Sequence, residues 1–141
     1  MKESSFRRIE KFNSSLEKLK KYMKLSFETI LEKPEVQDSI ERNLQVCTEA
    51  LMDIGRKIIS QMNWRIPKDY KDVAEVLREN RVFNKKLADS LKEVIGLRNI
   101  LVHFYADVKL EIIYDNLKEY KESLERGMQI LIKFYKEKRI L

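Results

Sequence analysis

The stretch PEVQDSIERNLQVCTEALMDIGRKIISQM, residues 34–62, decides the fold class. Ile40, Leu44, Cys47, Leu51, Ile54, Ile58 and Met62 recur at steps of three and four, the repeat that lines one side of an α-helix. Pro34 suits the first turn of that helix, where its missing N–H is no loss. Gly55 sits inside the pattern at a cost of about 1 kcal/mol against alanine. Either a close helix–helix approach or simple tolerance explains it. Cys47, on the apolar stripe, reads as core packing. As the lone cysteine it can form neither an internal disulfide nor a zinc site, which fits a reducing compartment.

The same periodicity extends outward in both directions. Towards the N-terminus, Phe6, Ile9, Phe12, Leu16, Leu19, Met23, Phe27 and Ile30 predict one helix from Ser5 to Leu31. Towards the C-terminus, Asn63 to Lys68 reads as a loop in which Trp64 is a packing anchor. A short helix from Tyr70 to Glu79 follows, with Val73, Val76 and Leu77 inward, and then a break from Asn80 to Phe83. Asn84 is a good N-cap for a fourth helix carrying Leu87, Leu91, Val94 and Ile95. Asp107 can cap a last long helix through Leu110, Ile113, Leu117, Tyr120, Leu124, Met128, Leu131 and Tyr135, expected to fray in the basic tail Lys136 to Arg139. Three glycines and two prolines leave few breakers. The expected architecture is all-α: an antiparallel bundle of four long helices plus one short helix, forming a single domain over residues 1–141.

A chain of 141 residues can bury a core without staples. With 29 basic and 23 acidic side chains the net charge is +6, but the charges are interleaved, so the basic balance does not by itself single out nucleic acid. The N-terminus lacks the apolar run of a signal peptide, and no apolar stretch reaches bilayer length. A soluble, cytoplasmic protein with no membrane partner is expected. No Cys/His cluster, His-Glu-x-x-His string or carboxylate constellation suggests a metal, no glycine-rich loop can cradle a phosphate, and no serine has a second histidine to serve it. Neither a metal nor a cofactor is expected.

The chemistry concentrates in GLRNILVHFY, residues 96–105, which holds the only histidine. Arg98 supplies a permanent cation, His103 a group that titrates near neutrality, and Tyr105 a phenolic hydroxyl. The step from Arg98 to His103 is about 7.5 Å of rise and roughly 140° of rotation on a helix, so the two positions lie on different sides of one cylinder. The gap closes if the helix ends or bends near His103, or if two copies meet about a two-fold axis; the second is expected.

In this layout the sequence resembles the HEPN superfamily, and more closely the HepT-like toxins, whose pattern is Arg, four residues, His, one residue, Tyr. Arg98, His103 and Tyr105 match it. The likeness runs from about Tyr22 to Ile132 and includes the Ile66-Pro67-Lys68-Asp69-Tyr70 turn. The resemblance implies a metal-independent endoribonuclease acting as a homodimer in a type VII-like HEPN/MNT toxin–antitoxin system. Its implied partner is an MNT-type nucleotidyltransferase antitoxin that neutralises the toxin by moving AMP from ATP to the motif tyrosine, here Tyr105. The alternative within the same family is a catalytically silent module that binds a nucleotidyltransferase or nucleotide. For cleavage of RNA, tRNA or mRNA among the candidates, His103 would act as general base or acid and Arg98 would hold the phosphate by bidentate hydrogen bonds. Asn99 would support by orienting phosphate or His103. The expected product is a 2′,3′-cyclic phosphate, and DNA, lacking the nucleophile, should resist.

Overall fold

The computed structural model describes the backbone of residues 2–103 and 107–138, and the side chains of residues 2–97 and 111–138. Among the described residues the chain is all-α, in the order α1 (Glu3–Tyr22), α2 (Phe27–Leu31), α3 (Pro34–Gln61), α4 (Tyr70–Glu79), α5 (Lys85–His103) and α6 (Asp107–Lys138). The four long helices are as expected, but there are two short ones. The segment expected to be one helix from Ser5 to Leu31 breaks after Tyr22. Ser26 adopts extended backbone and its side chain accepts a hydrogen bond from the Thr29 N–H, an N-cap that starts α2 anew. This elbow is held from the far end of the chain: the Tyr114 hydroxyl donates to the Leu25 carbonyl at 2.9 Å, and the rings of Phe27 and Tyr114 lie 5.2 Å apart.

The long helices pack with alternating direction, as cross-links between them show. Cys47 Sγ reaches the Phe12 carbonyl at 3.6 Å and Lys57 donates to Ser5, so α1 runs antiparallel to α3. Ser5 Oγ meets the Tyr135 hydroxyl at 3.3 Å while Lys20 pairs with Glu125, so α1 is antiparallel to α6 as well. Ser90 and Ser123 share a hydrogen bond between α5 and α6. One core runs through all six helices, with Phe12, Leu51, Ile54, Leu77, Leu91, Leu124 and Leu131 fully enclosed. Gly55 marks a close approach: a Cβ there would stand 2.9 Å from Val73 Cγ1 and 3.1 Å from Leu77 Cδ1, so α4 lies directly on α3. Among the described residues no helix is long and apolar enough to cross a membrane.

The ends of the helices follow local chemistry. α3 and α4 both close with a residue in left-handed backbone, Asn63 at φ 57° and Arg81 at φ 61°. In each case the next residue's N–H returns to the carbonyl five back, Trp64 to Ile59 and Val82 to Leu77, capping the helix. Asn84 caps α5 as expected, its Oδ1 accepting from the Leu87 N–H at 2.8 Å. Trp64 is an anchor, its ring 5.9 Å from that of Phe134. The fraying expected from Lys136 is not found: α6 continues to Lys138. No proline interrupts it, its one glycine, Gly127, lies well before the end, Tyr135 is buried one turn earlier, and Lys136 and Lys138 complement the negative end of the helix. Arg139 and the cap expected of Asp107 lie outside the described residues and side chains.

Candidate functional site

Arg98, Asn99 and His103 all fall on α5, in its last turns, and the helix ends at His103. The helix is unbroken between Arg98 and His103, so the five-residue step stands and the two positions are on different sides of α5. Tyr105 lies outside the described residues, between α5 and α6. The motif is held from both sides by core residues. Leu97 is buried just before Arg98, and Ile113 is fully buried in the second turn of α6.

The residue that leads into the motif, Gly96, supports a neighbour. α4 packs antiparallel on α5, with Lys92 donating to Glu75 at 2.5 Å and Lys71 reaching the α5 backbone at Gly96. A Cβ at position 96 would stand 3.3 Å from Lys71 Nζ and 3.5 Å from its Cε, so the lysine stem lies across the slot that the glycine leaves open. A shallow cleft of about 600 Å³, lined by Lys71, Lys92, Glu93, Gly96, Leu97, Ile112 and Tyr120, opens beside this slot. A second, of about 400 Å³, adjoins it along the N-terminal turns of α4 and is lined by Lys68, Asp69, Lys71, Asp72, Glu75 and Lys92.

The carboxylates of α4 and of its N-cap are already engaged. Arg65 forks onto Asp72 with two contacts of 2.8 Å and onto Glu79 at 2.9 Å. The Arg65 guanidinium and the Lys68 backbone N–H hold the Asp72 carboxyl at a pKa of about 2. Glu75 is held at about 2 by Arg78 first and Lys92 second. Asp69 caps α4, accepting from the Asp72 N–H at 2.8 Å. Lys71 is exposed and, among the described residues, donates to no carboxylate. Cys47, by contrast, is no part of any site. It is fully buried and burial pushes its thiol up to about 12, as packing in the core requires.

Sequence reasoning placed Arg98, Asn99 and His103 at the end of the penultimate long helix, where the backbone has them. Lys71, on another helix and 25 positions before Gly96, comes beside this region only through packing. The one available signal was a glycine at position 96 in the interior of a helix.

Comparison with known proteins agrees with this layout. The sequence matches the Ribonuclease HepT-like family over residues 12–131. It is 35% identical over 96 residues to the mRNA nuclease HepT of Shewanella oneidensis, covering 68% of this chain and 72% of that one. It is 32% identical over 103 residues to the tRNA nuclease HepT of Aphanizomenon flos-aquae, covering 72% and 69% respectively. Among solved structures, the tri-AMPylated HEPN toxin of Shewanella oneidensis in complex with MNT antitoxin superimposes with a TM-score of 0.84 at 27% identity. That match covers 94% of this chain and 99% of the toxin.

Proposed function

The chain belongs to the HepT-like ribonuclease family, and from that membership we propose that it is a metal-independent endoribonuclease, the toxin of a type VII-like HEPN/MNT toxin–antitoxin pair. The observation that carries the proposal is the position of Arg98, Asn99 and His103 on the last turns of α5, inside the family-matched stretch and directly before a long helix.

Cleaving RNA without a metal requires a base for the ribose 2′-OH, charge stabilisation for the phosphorane and an acid for the departing 5′-oxygen. His103 takes the 2′ proton, or returns one to the leaving oxygen, since its ordinary titration lies near neutrality. Arg98 neutralises the phosphate, and Asn99 supports as a neutral donor and acceptor. The 2′-oxygen bonds to phosphorus as the P–O5′ bond breaks, leaving a 2′,3′-cyclic phosphate and a free 5′-hydroxyl. On one helix Arg98 and His103 lie on different sides, and of the two ways to close that gap we favour a composite site: two protomers related by a two-fold axis each contribute residues to one cleft.

The partner is a nucleotidyltransferase antitoxin of the MNT type, which transfers AMP from ATP to the Tyr105 phenolic oxygen and releases pyrophosphate. The added bulk and negative charge next to Arg98 and His103 occupy the cation that substrate phosphate needs.

The test is cleavage of a mixed RNA pool, tRNA and mRNA included, by the purified protein in EDTA, with His103→Ala beside it and product ends examined for cyclic phosphate. Cleavage by the wild type and at least a hundred-fold loss in a helical, equally dimeric His103→Ala protein is expected. An unmodified wild type that cuts none of these RNAs would replace the nuclease with a partner-binding module.

A further inference from the structure

We infer that Lys71 is a substrate-binding residue that holds a phosphate of the RNA strand flanking the one cut at the motif. The inference rests on the ribonuclease reading above and extends the site from α5 to α4.

The backbone register supplies the alignment. Gly96 and His103 are seven residues apart on the unbroken α5, a step of about 10.5 Å along the axis with only about 20° of rotation. They therefore share one face of the helix. Lys71 lies over that face at Gly96, with its ammonium 3.3 Å from where a Cβ would be. A cation on the same face as His103, but two turns away along it, is too far to serve the reacting phosphate. It is suitably placed for another phosphate of the same strand.

The charge state agrees. Around Lys71, Asp72 and Glu79 are taken by Arg65, and Glu75 by Arg78 and Lys92. Lys71 is left with its charge uncommitted among the described residues, exposed, at the border of both clefts. Glu93, on the wall of the larger cleft, is the acidic group that faces the same space and discourages a second anion on that side. Gly96 completes the device. A Cβ there would meet the end of the lysine side chain, so the open slot at the glycine lets the ammonium lie low across α5.

A lysine acting as a point charge on phosphate carries no base preference, but each such contact to a single strand contributes about 0.7 to the slope of log affinity against log salt. Binding of fluorescein-labelled single-stranded oligoribonucleotides is measured by anisotropy in the His103→Ala background, where turnover does not interfere. Adding Lys71→Ala is expected to weaken Kd about five-fold at 0.1 M salt and lower the salt slope by about 0.7, equally for different sequences. Lys71→Arg should keep both. An unchanged Kd and slope in Lys71→Ala, with His103-dependent cleavage by the wild type, overturns the inference and leaves the nuclease standing. So does a loss of affinity that leaves the salt slope unmoved. Failure of the wild type to bind or cut any RNA overturns both.

Discussion

Replacing Gly55 with alanine is expected to destabilise the protein, although glycine is the poorer helix former. On propensity alone the change should add about 1 kcal/mol. The new Cβ, however, would stand 2.9 Å from Val73 Cγ1 and 3.1 Å from Leu77 Cδ1, both fully buried. Leu77 can turn its end away. Val73 cannot, because its branch point is at Cβ and its rotamer in a helix is nearly fixed, so relief requires α4 to move as a body. Overpacking of this kind costs about 1–3 kcal/mol, leaving a net loss of about 1 kcal/mol. For a chain of 141 residues that is a fall in Tm of about 3 °C. The decisive arm is the double mutant. Val73→Ala removes the obstructing methyl, and in that background Gly55→Ala should be stabilising by about 1 kcal/mol, a coupling of about 2 kcal/mol. Urea unfolding followed by circular dichroism at one fixed protein concentration reads all four proteins, so that any self-association affects each of them equally. A rise in stability for Gly55→Ala in the wild-type background would refute the argument that contact with α4 requires glycine there.

Two further outcomes follow from the ends of α4. Asp72 and Glu75 are both held at about 2, below their ordinary values of 3.8 and 4.5. Depressed carboxylates contribute stability that is complete above the unfolded values and lost as pH falls through the folded ones. The urea midpoint should therefore decline between pH 4.5 and 2, less steeply in Arg65→Ala, and less steeply in 0.5 M salt since the groups are partly exposed to solvent. At the other end, Arg81 is held at φ 61°, a conformation that costs an L-residue roughly 1–2 kcal/mol. Arg81→Gly should raise stability by about 0.5–1 kcal/mol after the added freedom of the unfolded chain is subtracted, measured by thermal melting.

Where one residue both repeats and punctuates, the chain could be read directly. Pro34 opens α3 and Asn84 caps α5 as expected, and α4 spans Tyr70–Glu79. The elbow between α1 and α2 could not be read, because Met23, Phe27 and Ile30 keep helical spacing across the break and the Ser26 cap resembles any surface serine. Phe6 misled for a related reason. Its spacing puts it on the apolar stripe but it is 55% exposed, while Ser5 is fully buried. Counting back by sevens from Leu19 through Phe12 reaches Ser5, so the inward position is polar and pairs with Lys57 and Tyr135. At the candidate site, Arg98, Asn99 and His103 can be located from the sequence because they belong to one helix. Lys71 could not, because its relation to them exists only once α4 lies on α5.

The burial of Cys47 makes the protein its own unfolding probe. The thiol is the only one in the chain, and it sits at the α1–α3 seam with Phe12 above it. A thiol reagent can reach it only when that seam parts, so the rate of labelling clocks how often α1 lifts from α3. If labelling outpaces global unfolding under the same conditions, the N-terminal helix opens as a separate unit while the rest of the bundle stays closed. If the two rates coincide, α1 is released only with everything else.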